Sequence, residues 1–243
     1  MAAIAPQYLT IATSKGTASL PLYATGEWRA RGTRVRRALI VIHGRLRNAD
    51  AYFNLAHHAL AQAGETANDT LLIVPQFVAR DDVDAHGLQP NTLFWEWTSW
   101  MGGDDATGPV SLSSFDVLDT VLEALADAAD YPDLEQVVIA GHSGGAQVVQ
   151  RYAAVSHGDR ALAARGVRTR YVVANPSTYL YFDAQRPTSD GHFAPLDTHT
   201  EAGAQANAWK YGLDNLPAYV ERQHGACGTG DIEREYVGRD VVV

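Results

Sequence analysis

The sequence predicts an α/β fold in which a mainly parallel central sheet is flanked by helices. Three observations predict it. Short, nearly continuous apolar runs recur at residues 38–42, 71–75, 137–140 and 170–174, as expected for strands covered by helices. Segments with helical periodicity lie between them. Gly141-His142-Ser143-Gly144-Gly145 joins the third run to a helical segment, so a serine sits on a sharp strand-to-helix turn.

Taken in order, residues 7–13 and 18–24 read as an opening pair of strands. Ala38-Leu39-Ile40-Val41-Ile42 is apolar throughout and reads as a strand buried on both faces. A helix follows, with Asn48 or Asp50 as its cap, Tyr52, Leu55, Ala56, Ala59, Leu60 and Ala63 as its inward stripe, and Gly64 as its stop. Leu71 to Pro75 supply the next buried strand. The helix after it carries a capping box in Ser113 and Asp116, faces Leu118, Val121, Leu122, Leu125 and Ala129 inward, and is stopped by Tyr131-Pro132. Residues 137–140 form the strand before the serine turn, the next helix runs to about His157-Gly158, and residues 170–174 form the sixth strand. The stretch 177–231 breaks this rhythm, with many aromatics and few apolar runs. It reads either as a lid or insertion over a site, or as a long connection whose aromatics pack on the sheet edge. Residues 234–243 end in three valines and read as a last strand. No linker, repeat or low-complexity tract divides the chain, so residues 1–243 are expected to form one domain.

Hydrophobic residues make up 46% and charged residues 19%, and the net charge is −9. That suits a soluble globular protein and argues against a nucleic-acid partner. The basic run Arg29, Arg31, Arg34, Arg36 and Arg37 falls between two strands and reads as a solvated turn. Cys227 is the only cysteine, which excludes an intrachain disulfide and a cysteine metal cluster. The N-terminus lacks a signal-peptide pattern and no run reaches membrane-spanning length, so a cytoplasmic location is the default expectation. Asp81, Asp82, Asp84 and His86 offer oxygen and nitrogen ligands but lack a calcium-loop pattern and its turn glycine, so no metal is expected there.

The turn at Ser143 has the form of a nucleophile elbow. Together with Ile42-His43-Gly44-Arg45 after an early strand, and the order of strands and helices from about Arg36 onward, it resembles the α/β-hydrolase superfamily over most of the chain. The resemblance implies a serine hydrolase of esterase or lipase type acting on a small-molecule ester, with peptidase and thioesterase chemistry left open. Ser143 would be the nucleophile. The N–H groups of Gly144 and of Arg45, on the loop that follows Gly44, would form the oxyanion hole. His43 is expected to brace that loop, and the Arg45 and Arg47 side chains to face solvent. Water is the only cosubstrate such chemistry needs, and no cofactor is expected. Trp95, Trp97 and Trp100 have two readings, as the lining of an apolar acyl pocket or as anchors of their loop to the core.

A serine hydroxyl needs a general base, usually a histidine oriented by a carboxylate. In the superfamily the order is serine, acid, histidine. The acid usually follows the strand that here ends at Val243, and the histidine follows later. The expectation is therefore a fold lacking its last strand or strands and helix, with the usual acid and base regions absent. Within the chain, Asp183 stands where some relatives of the fold carry the acid, and His192, His199 or His224 are the histidines available as base. Asp240 precedes the last strand, at the wrong end of a parallel sheet for catalysis. Two functions follow: a serine hydrolase, or a catalytically incomplete or binding protein of the same fold.

Overall fold

The computed structural model describes residues 3–14, 16–64, 69–224 and 229–243, and Cys227 lies outside the described residues. The strands are β1 (Gln7–Thr13), β2 (Gly16–Ala24), β3 (Arg37–Ile42), β4 (Thr70–Pro75), β5 (Gln136–Ser143), β6 (Arg168–Pro176), β7 (Gln185–Pro187), β8 (Phe193–Pro195) and β9 (Asp240–Val242). Seven of them form one sheet in the order β1-β2-β4-β3-β5-β6-β9, and β7 pairs with β8 in a separate hairpin. β2 runs antiparallel to both β1 and β4. All other pairs of the main sheet are parallel. β9 pairs with β6 through Arg170 and Asp240 at its start, and these two side chains form an ion pair of 2.7 Å there. Asp240 is thus a strand-edge residue, as its position in the sequence implies.

β4, at the middle of one half of the sheet, is buried at every position. β3 differs from the expectation of burial on both faces: Ala38, Ile40 and Ile42 are buried while Leu39 and Val41 are only half-buried. The reason is the small cover on that face, a single helix, α1 (Ala49–Gln62). Ala49, Tyr52, Phe53, Ala56 and Leu60 of α1 pack on Tyr23, Leu39, Val41, Leu72 and Val74. The stripe expected from the sequence is therefore shifted. Leu55 is 69% exposed, and Ala59 and Ala63 also face solvent. Phe53, stacked on Tyr23 with ring centroids 5.3 Å apart, takes the inward place instead. Gly64, with φ of +78°, follows the helix in the left-handed region that favours glycine.

The other face carries most of the core. α2 (Arg80–His86) is a helix where the sequence suggested an acidic loop, and the Asp82 carboxylate accepts the Ala79 N–H at its start. A 3₁₀ turn (Ser99–Gly102) leads to α3 (Ser114–Leu125). α3 has the expected capping box: Ser113 Oγ accepts the Phe115 N–H and Asp116 Oδ2 accepts the Ser113 N–H. It ends before Ala129, which is exposed rather than inward-facing. α4 (Gly144–Val155) is buried at all its positions and lies against β5 and β6. After α5 (Arg160–Ala164), α6 (Glu201–Asn207) and α7 (Ala218–His224), α8 (Thr229–Val237) takes residues 234–237 of the segment 234–243 expected to be strand, and β9 is its extended part. Arg29, Arg34 and Arg36 pair with Asp130, Asp133 and Glu135 at 3.4, 3.0 and 2.8 Å. Among the described residues, no helix is long and apolar enough to cross a membrane.

Candidate active site

Ser143 ends β5 and α4 begins at the next residue, so the strand-to-helix turn has no connecting loop. Its backbone lies at φ 59°, ψ −120°, a region that costs a non-glycine residue about 1–3 kcal/mol. The flanking glycines are required by close approach. A Cβ on Gly141 would overlap the Gly145 backbone, and one on Gly145 would overlap the Ile42 carbonyl. The turn thus locks β5, α4 and the end of β3 together and leaves Ser143 at the carboxyl edge of the sheet.

The loop after β3 meets this turn. A Cβ on Gly144 would lie 3.1 Å from the Arg45 nitrogen and 2.5 Å from Met101 Sδ, so the two backbone segments touch. The Arg47 N–H closes a turn onto the Gly44 carbonyl at 3.0 Å. His43 holds one flank. It is fully buried: its Nε2 accepts the Phe77 N–H at 3.0 Å, so Nδ1 carries the proton and donates to the Gly44 carbonyl at 2.9 Å. Burial pushes its pKa down to about 4, so the ring is a neutral brace at ordinary pH, as its place in the sequence suggests.

Arg47 holds the other flank, contrary to the expectation that it faces solvent; Arg45 alone of the two is exposed. The Arg47 side chain is 4% exposed and its Nε lies 2.6 Å from Asp82 Oδ2. Its guanidinium also stacks 4.1 Å above the Trp97 ring. Burial pushes the Asp82 carboxyl up, but the hydrogen bonds from Arg47 and the Ala79 N–H outweigh it and hold the group below its usual value. The sequence offered no local signal of this pair, because Arg47 and Asp82 lie 35 residues apart.

A cleft of about 900 Å³ opens over Ser143. Arg45, Met101, Asp104, Ser177, Trp209 and Lys210 are among its lining. Burial, and next to it Asp105, push the Asp104 carboxyl up. The three tryptophans of residues 95–100 are not in the lining, which corrects the acyl-pocket reading. Trp95 and Trp100 are core residues, 1% and 0% exposed, with Trp100 stacked on Phe77. Trp97 is 51% exposed and covers Arg47. The 3₁₀ turn they anchor instead presents Met101 to the cleft.

Residues 177–215 build the opposite wall. Arg151, in the middle of α4 and 0% exposed, donates to the Thr178 carbonyl, to Thr178 Oγ1 at 2.9 Å and to the Lys210 carbonyl. Burial pulls its pKa down to about 9, and it still carries its charge at neutral pH. A lone arginine within Ala146-Gln147-Val148-Val149-Gln150-Arg151-Tyr152 was the sequence sign of this clamp.

The acid and base residues expected from the sequence are not brought to Ser143. Ser143 Oγ meets Ser177 Oγ at 3.5 Å. Asp183 is exposed and accepts the Gln185 N–H. His192 and His199 are exposed, with backbone N–H groups bonded to Asp190 and Asp197. His224 is bonded to the Val155 carbonyl at the far end of α4, about 18 Å along the helix from Ser143 at 1.5 Å per residue. Its role as base is therefore corrected by distance. Among the described residues that line the cleft, His142 is the only histidine, and its Nδ1 lies 3.2 Å from the Tyr52 hydroxyl.

No family model matches the chain, and no curated protein matches it. Solved structures do resemble it. Poly(aspartic acid) hydrolase-1 from Sphingomonas sp. KT-1 superposes with a TM-score of 0.50 at 17% identity, over 98% of this chain and 70% of that one. A poly(3-hydroxybutyrate) depolymerase from Bordetella parapertussis gives 0.47 at 19% identity, over 96% and 76%. S-formylglutathione hydrolase from Staphylococcus aureus gives 0.40 at 12% identity, over 100% and 77%. At such identities the likeness is one of fold. The mainly parallel sheet with its flanking helices and the superposition on the Sphingomonas structure together identify the chain as having the α/β-hydrolase fold.

Proposed function

We propose that the protein is a serine hydrolase acting on carboxylic esters, with Ser143 as nucleophile. The observation that carries this reading is the elbow itself: a serine held at φ 59°, at the floor of a cleft, beside two backbone segments in contact. Ser143 Oγ attacks the ester carbonyl carbon, the N–H groups of Gly144 and Arg45 receive the oxyanion, the alcohol leaves with a proton, and water releases the acid from the acyl-enzyme. α4 supports this, since its positive end begins at Gly144. The Sphingomonas protein of the same fold is by its name a hydrolase, the reaction class proposed here. Residues 177–231, which contribute Ser177, Trp209 and Lys210 to the cleft, are proposed to act as its covering insertion within a single domain.

The second reading, a catalytically incomplete or binding protein, is favoured by one observation: the described residues give Ser143 Oγ a hydroxyl at 3.5 Å and no imidazole. Labelling with a fluorophosphonate separates the two. A hydrolase labels at Ser143, loses the label in Ser143→Ala and cleaves short p-nitrophenyl esters. Absence of both label and cleavage in the parent chain would establish the second reading.

A further inference from the structure

At the far end of α4, away from the Ser143 cleft, His157, His224 and Glu235 converge from three segments: the residues after α4, the end of α7 and the last turn of α8. One ligand atom from each lies within 4.8 Å of the other two. The two imidazole centroids are 5.1 Å apart. His224 is 8% exposed, and the His157 and Glu235 side chains are 17% and 33% exposed. A second opening in the surface, about 480 Å³, is lined by all three.

The hydrogen bonds fix where the lone pairs are. The Val155 carbonyl only accepts, so His224 Nε2, at 2.8 Å, carries the proton and its Nδ1 is left with the lone pair. His157 Nδ1 is held by Gln223 Oε1 at 3.1 Å, which leaves the lone pair on Nε2. That nitrogen lies 3.3 Å from Glu235 Oε2, and neither atom has a hydrogen-bond partner. With His157 neutral, the two face each other as acceptors, and the contact repels unless a proton or a metal ion sits between them. A metal-bound histidine commonly has its remote N–H fixed by a carbonyl or carboxylate, and both rings here meet that condition.

We propose that His157, His224 and Glu235 bind a zinc-type divalent transition-metal ion, with water as the fourth ligand. Bond lengths of 2.0–2.2 Å in a tetrahedron place ligand atoms about 3.4 Å apart. The His157–Glu235 pair already has that spacing, and His224 brings a ring nitrogen within 4.8 Å of both ligand atoms. Two imidazoles and one carboxylate favour zinc over calcium or magnesium, which take oxygen ligands. Of the cations nearby, Arg234 pairs with Asp231 at 2.8 Å, and Arg239 bonds the Ala153 and Ser156 carbonyls and pairs with Asp159, its nearest approach to Glu235 being 4.0 Å; Arg160 also lines the opening. This departs from the expectation that the chain holds no metal. At the opposite end of α4 from the nucleophile, the ion would clip α7 and α8 to the core.

Titration of the metal-stripped full chain with zinc chloride, read by calorimetry and thermal unfolding, tests it. One equivalent binds and raises Tm. His157→Gln and Glu235→Gln each weaken binding by at least about tenfold, and Gln223→Ala weakens it by about 10- to 100-fold. Ser143→Ala and the double substitution His57→Ala/His58→Ala leave it unchanged. Cobalt(II) in the parent chain gives visible bands of a four-coordinate site, a readout independent of any variant. Absence of binding, binding that survives both His157→Gln and Glu235→Gln, or loss of binding in the His57/His58 variant overturns the proposal and leaves a simple His157–Glu235 ion pair.

Discussion

The Arg47 guanidinium and Asp82 carboxylate are 2.6 Å apart with each side chain 4% exposed, so removing either partner strands the other without water. Arg47→Ala is expected to destabilise the protein by about 3–5 kcal/mol, measured as the shift in urea unfolding. Arg47→Met/Asp82→Leu, which removes both ions and keeps apolar volume, should recover most of that loss; equal destabilisation by the single and double variants would mean that the pair is not the source. Beneath this pair lies a limit on what the sequence discloses. The elbow and the His43-Gly44 loop are local patterns, legible because their glycines and serine are contiguous. Arg47 and Asp82 are 35 residues apart, and only the fold brings them together. Ser177 and Trp209 lie in the stretch 177–231, one reading of which is a lid over the site, but only the fold singles them out within it, while the histidines available as bases proved to lie on exposed turns or at the far end of α4.

At the scale of elements, the buried strands were legible because continuous apolar runs have few other uses, and β3, β4, β5 and β6 fall where those runs lie. Helix faces were less so. In α1 both Leu55 and Phe53 are large and apolar, and helical spacing accepts either as part of a stripe. Packing selects Phe53, because Tyr23 on β2 offers it a ring to stack on. Phe53→Ala should therefore cost about 2 kcal/mol, less than a fully buried phenylalanine, while Leu55→Lys should stay within about 0.5 kcal/mol of the parent. Chemical denaturation of the two variants checks this, and the reverse order would restore the stripe read from the sequence. α2 and α8 escaped the sequence reading for another reason. Their acids are paired, Asp82 with the distant Arg47 and Asp231 with Arg234 one turn along its own helix, so charged segments that do not read as helices belong to folded helices.

Across the whole molecule, two buried groups pull the pH dependence of stability in opposite directions. Burial lowers the His43 pKa from 6.5 to about 4. In that window the unfolded chain binds a proton that the folded chain refuses, so stability is present above pH 6.5 and is lost as pH falls toward 4. Asp119 behaves in the opposite sense. Burial raises its pKa from 3.8 to about 6, even though it accepts hydrogen bonds from the Tyr152 and Tyr219 hydroxyls at 2.6 and 2.8 Å. Its protonated form is favoured by the fold, so its contribution is present below pH 3.8 and is lost as pH rises through 6. Between pH 4 and 6 one proton taken up by the unfolded chain is matched by one taken up by the folded chain, and the two slopes cancel. Asp119→Asn keeps an acceptor for a tyrosine hydroxyl but removes the titration. The loss of stability from pH 6 to pH 4 should then exceed that of the parent chain by about 2–3 kcal/mol, from a slope of about 1.4 kcal/mol per pH unit. Urea unfolding of both proteins at the two pH values measures the difference directly, and parallel pH profiles would show that Asp119 does not offset the His43 proton.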